Sequence, residues 1–112
     1  MSNIQLSKDA DYLICLIYKH YLELRDNGIS KSEAKKINSL EDIHYLVPDW
    51  SLDDIHETCL ELSNKNLLSK KKPYIDEKYA HFSVSDDGII YMENRFSDKI
   101  NKIIDYISKL KP

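Results

Sequence analysis

Apolar residues return at steps of three and four in three long stretches of this chain. In the first, Leu13, Leu16, Ile17, Tyr21 and Leu24 keep helical spacing, with His20 on the same face. Ile14, Cys15 and Tyr18 widen that stripe. The pattern predicts a helix from about Asp9 to Asp26, capped by Ser7 and buried on more than one side. Asn27-Gly28 ends it, because glycine takes the left-handed conformation of a helix exit without steric cost. In the second stretch, Leu52, Ile55, Cys59 and Leu62 predict a helix opened by Ser51, with Asp53 and Asp54 in the first turn where the helix dipole favours them. In the third, Ile100, Ile103, Ile104, Ile107 and Leu110 form the stripe of a helix-packing seam, predicting a last helix within residues 97–112.

Shorter elements fill the gaps. Ser30-Lys-Ser-Glu33 has the form of a capping box and predicts a short helix through about Ile37. Ser39-Leu-Glu-Asp42 opens another, which ends before Pro48 because proline disfavours helical geometry at Val47. Residues 67–70 and the aromatic run Tyr79–Val84 read as paired strands around a charged loop, Lys-Lys-Lys-Pro-Tyr-Ile-Asp-Glu-Lys at 70–78. Ser85-Asp-Asp-Gly88 has two readings. It caps a helix containing Ile89, Ile90, Met92 and Phe96, or Asp87-Gly88 turns a hairpin that pairs Tyr79–Val84 with Ile89–Met92. The helix is favoured, because residues 92–96 continue it without a breaker.

The fold class expected is α+β and mostly helical: a helix-turn-helix with a β-hairpin and an added C-terminal helix. Residues 1–112 read as one domain, with a core in 1–96, the hairpin at about 67–84 and a packing helix in 97–112. From Ser30 to about Tyr91 the order and spacing resemble small bacterial and phage winged-helix proteins, the MarR-like and PadR-like regulators in particular. The likeness rests on Leu60 followed after six residues by Leu67-Leu68, then the aromatic strand, then Phe82-Ser-Val-Ser-Asp-Asp-Gly88-Ile. Val84-Ser-Asp-Asp-Gly88 stands where those families often carry a Leu-Thr-x-x-Gly phrase. The resemblance implies that residues 51–65 form the recognition helix, that 70–79 form the wing, and that the last helix mediates dimerisation. It implies a DNA-binding transcriptional regulator.

Charge complicates that implication. The net charge is −3, and residues 1–66 carry 7 basic and 12 acidic side chains against 9 and 7 in residues 67–112. Phosphate contacts are therefore expected in the hairpin, at Lys70, Lys71, Lys72 and Lys78, with lesser ones from Thr58, Asn64 and Lys65. Lys31, Lys35 and Lys36 read mainly as a solvated face. The helix expected to enter the groove presents Asp53, Asp54, Glu57 and Glu61, which should repel a duplex. An alternative follows: a protein-interaction module that keeps the fold, does not bind DNA, and works through that acidic surface. Ile100, Ile103, Ile104, Ile107 and Leu110 are the candidate homodimer interface.

No catalytic or metal-ligand spacing emerges. His56 and Cys59 lie three apart without supporting ligands, no serine or cysteine nucleophile has a plausible base, and two glycines cannot build a phosphate-cradling loop. The expectation is a non-enzymatic protein with no metal and no cofactor. Two cysteines on apolar helix faces read as reduced core thiols. With no basic leader and no apolar run near the roughly 20 residues of a membrane helix, the expected location is cytoplasmic.

Overall fold

A computed structural model describes residues 4–37, 39–97 and 100–110. The element order is α1 (Lys8–Asp26), α2 (Lys31–Ala34), β1 (Lys36–Ile37), α3 (Leu40–His44), α4 (Leu52–Asn64), β2 (Leu68–Lys71), β3 (His81–Val84), α5 (Asp86–Phe96) and α6 (Ile100–Leu110). The architecture is α+β, with a small antiparallel sheet in the order β1-β3-β2. No helix among the described residues is long and apolar enough to cross a membrane.

Four serines start helices through the same bond. Ser7, Ser30, Ser51 and Ser85 each accept from the backbone amide three residues on, at 3.1, 3.3, 3.1 and 2.8 Å. Ser39 precedes α3 without such a bond. Glu33 does not complete a box by reaching back. Its carboxylate lies 2.6 Å from Lys36 Nζ. Gly28, at φ +85°, ends α1, and the Ile29 amide returns to the Leu24 carbonyl at 3.0 Å. The helix reading of Ser85–Gly88 holds, and it explains the glycine. A Cβ at Gly88 would lie 2.2 Å from the Leu67 carbonyl oxygen, so only glycine lets the first turn of α5 pass this close to the start of β2.

Helix α1 runs through the middle and packs against α2, α4, α5 and α6. Its buried residues Leu13, Ile14, Cys15, Ile17, Tyr18 and Tyr21 cover more than one face, as the widened stripe predicted. Ile55, Cys59 and Leu62 of α4, Phe82 and Val84 of β3, Met92 of α5 and Ile103 of α6 join them in one core. Both cysteines are free and buried. Burial pushes each thiol up to about 12, aided at Cys15 by the charge of Asp11, so neither is a thiolate at neutral pH.

Two expectations need correction here. The second helix stops at Ala34 instead of reaching Ile37. Lys36 and Ile37 pair with Ser83 and Phe82, giving β3 a partner on its second edge, and Ile37 packs on the core. The last helix, described over Ile100–Leu110, does not include Ser97. Ser97 is left-handed, at φ 52°, and ends α5. Asp98, Lys99, Lys111 and Pro112, which the sequence assigned to the last segment, lie outside the described residues.

A half-buried polar cluster joins α1, α5 and α6. Arg95 donates to Asp11 Oδ1 at 2.7 Å, and the Tyr106 hydroxyl donates to Asp11 Oδ2 at 2.5 Å. The rings of Tyr91, Phe96 and Tyr106 lie 5.4, 5.0 and 5.0 Å from the guanidinium carbon. Burial works against the charge on Arg95, but the hydrogen bond and charge of Asp11 outweigh it and hold the guanidinium ionised.

Candidate nucleic-acid interface

The hairpin β2–β3 and helix α4 meet through the polar groups at the start of α4. Asp53 accepts from the Tyr79 hydroxyl at 2.6 Å and pairs with Lys78 Nζ at 3.2 Å. Hydrogen bonds from Tyr79 and Lys78 hold the Asp53 carboxyl below the usual carboxylate range, and the same bonds raise Tyr79 and Lys78. His56, one turn on, accepts from the Ala80 amide through Nε2 at 3.3 Å, with its ring against Tyr79 and Phe82. An imidazole nitrogen that accepts is unprotonated, and burial lowers the His56 pKa in keeping with that role. These contacts fix the returning limb of the loop to α4, and none of them had been read from the sequence.

The predicted phosphate contacts do not gather in one place. Thr58 is buried: its hydroxyl donates to the Asp54 carbonyl at 2.8 Å, and it lies on the same helix face as Ile55, Cys59 and Leu62. It is therefore no surface contact. Asn64 and Lys65 are exposed at the C-terminal end of α4, a helix roughly 20 Å long, whereas Lys78 sits at its N-terminal end on Asp53. Lys70, Lys71 and Lys72 are exposed and form no ion pair among the described residues. The strand period splits Lys70 from Lys71. Lys70 shares the face of Leu68, Phe82 and Val84 and acts electrostatically on His56, whereas Lys71 shares the opposite face with Ser69, Ser83 and His81. Lys35, read as solvated, pairs with Asp86 across the fold.

The acidic surface is smaller than the sequence suggested. Asp53 is engaged by Lys78 and Tyr79. Glu61 caps α1, accepting from the Ser7 amide at 2.9 Å and the Ser7 hydroxyl at 2.7 Å. Asp54 and Glu57 remain exposed and without an ion pair among the described residues.

The stripe read as a dimer seam is largely used within the chain. Ile103 is fully buried, Ile107 packs on the core, and α6 lies on α1. Ile100 and Leu110 are half-buried, and Ile104 stays 41% exposed. Among the described residues no group of three or more His, Cys, Asp or Glu side chains could hold a metal ion. Compared with protein-family models, curated proteins and solved structures, the chain matches none.

Proposed function

We propose that this chain is a non-enzymatic winged-helix protein that associates with duplex DNA through its hairpin. The element order supports the reading: helices α1 to α4 interrupted by a short strand, then two strands around a basic loop, then two closing helices. So do the sheet order β1-β3-β2 and the packing of β2 against α4. The observation that carries it is the pair of exposed hairpin lysines, Lys70 and Lys72, which form no ion pair among the described residues of an acidic chain. Lys70 and Lys72 grip phosphates, and Lys78 joins them where it leaves Asp53. Helix α4 lies along the duplex without reading bases, because Asp54 and Glu57 face the phosphates and carry the wrong charge. Pairing into a homodimer draws on Ile104 and the outer sides of Ile100, Ile107 and Leu110.

A gel shift on random duplex at low salt tests this. Binding should weaken steeply as salt rises, and a Lys70/Lys72→Ala variant should lose about 2 units of the log–log salt slope. Asp54→Asn with Glu57→Gln should tighten binding. Absence of any shift at low salt removes the reading. It would favour a protein-interaction module instead, whose surface is Asp54 and Glu57 with Asp53 and Glu61 serving the fold.

A further inference from the structure

The outer face of the sheet carries a second arrangement that the duplex reading does not use. Register sets Lys36, Ser83 and Ser69 side by side across β1, β3 and β2, with His81 beside Lys71. The opposite face holds Leu68, Phe82 and Val84, all buried, so the first group points away from the core. Tyr74 leans over this face from the loop, its ring 5.4 Å from that of His81 and still 64% exposed. A turn closed by the Glu77 amide on the Tyr74 carbonyl at 2.9 Å holds it there, and Glu77 also meets His81 at 2.5 Å. Lys36, Ser69, Lys71, Tyr74, His81 and Ser83, together with Lys70, line an open groove of about 490 Å³, within the roughly 300–1,000 Å³ of small-ligand sites.

We infer that this face binds a segment of single-stranded nucleic acid, with one base stacked on Tyr74. The groups stand in the order such a segment needs. Lys71 lies on one side and Lys36 two strands away and two residues along, about 12 Å off. Between them are two hydroxyls for sugar or base edges and a ring for the base. Tyr74 is already braced, so stacking on it costs little ordering. A duplex cannot use the ring, because its bases are covered above and below by their neighbours. Only a splayed base offers a free face. Glu33 occupies Lys36 at 2.6 Å, but that pair is well exposed and yields readily to a phosphate.

The test is fluorescence anisotropy with the full chain and a labelled short oligo(dT) at low salt, set beside the same measurement on a duplex. Oligo(dT) should bind, and Tyr74→Ala should weaken it about tenfold while leaving the duplex affinity unchanged. Lys36→Ala and Lys71→Ala should each weaken oligo(dT), Glu33→Gln should strengthen it, and Lys65→Ala should do nothing. Failure of oligo(dT) to bind, or equal binding by the Tyr74→Ala protein, overturns the inference. The second result would mean that the lysines merely attract a polyanion. A duplex shift that persists in either case leaves the hairpin reading in place, so the two proposals fail separately.

Discussion

Asp11, Arg95 and Tyr106 meet where α1, α5 and α6 join, and Asp53, Lys78 and Tyr79 meet where the hairpin returns to α4. Each cluster is a carboxylate that accepts from a tyrosine hydroxyl and pairs with a cation. Their surroundings differ. The side chains of Asp11 and Arg95 are 17% and 23% exposed and lie under aromatic rings, whereas Asp53 and Lys78 are 66% and 71% exposed. In the first, water cannot replace a lost partner. In the second it can, and salt screens what remains. The same three groups thus secure helices at one end of the molecule and only guide a loop at the other. Arg also suits the sheltered site, since its flat guanidinium stacks on rings that an ammonium would only touch.

Removing the cation from the sheltered cluster should have the largest effect. Arg95→Ala leaves Asp11 without its cation and opens space among Tyr91, Phe96 and Tyr106, and should cost about 3 kcal/mol in urea denaturation followed by circular dichroism. An effect below about 1 kcal/mol would place this cluster with the exposed one. Tyr106→Phe should come next, at about 1 kcal/mol for one hydrogen bond. It should also change the alkaline limb. The bond to Asp11 raises the Tyr106 pKa above its ordinary 10.0. The folded state therefore holds that proton more tightly. The contribution is complete below pH 10 and lost as pH rises through the higher folded value, so the parent should lose stability there and the phenylalanine variant should lack that part of the decline. The smallest effect belongs to Asp53→Asn, which should leave the urea midpoint unchanged, because both partners are already in water. A midpoint shift as large as that of Tyr106→Phe would erase the contrast.

Local features and the pairing of β2 with β3 were legible in the sequence, and the other pairings across it were not. Ser7, Ser51 and Ser85 were readable as caps because the bond closes within three residues, and Gly28 because its conformation is a property of one position. β1 was missed because two residues have no period to display. What makes Lys36 and Ile37 a strand is β3, some 45 residues on. Thr58 was taken for a surface residue because threonine is polar, although its step from Ile55 and Leu62 puts it on the buried face, where its hydroxyl is satisfied by the preceding turn. Arg95, Asp11 and Tyr106 could not have been joined from the sequence, since they are separated by 84 and 95 positions. Within the candidate site, the lysines were found, but their division between two faces of a strand required the register.

The crossing at Leu67 and Gly88 has a consequence for how the molecule can vary. The Ser85 amide donates to the Leu67 carbonyl at 3.3 Å, and the Ser85 hydroxyl to the Asn66 carbonyl at 2.6 Å, beside the point where Gly88 lies against Leu67. The chain leaves and re-enters the helical body through one clasp. The strands themselves are held again further on, by Lys78, Tyr79 and Ala80 on α4, by β1 beside β3, and by Leu68, Phe82 and Val84 in the core. Only the loop between Lys71 and Lys78 is therefore left to lengthen or shorten without shifting α4 against α5.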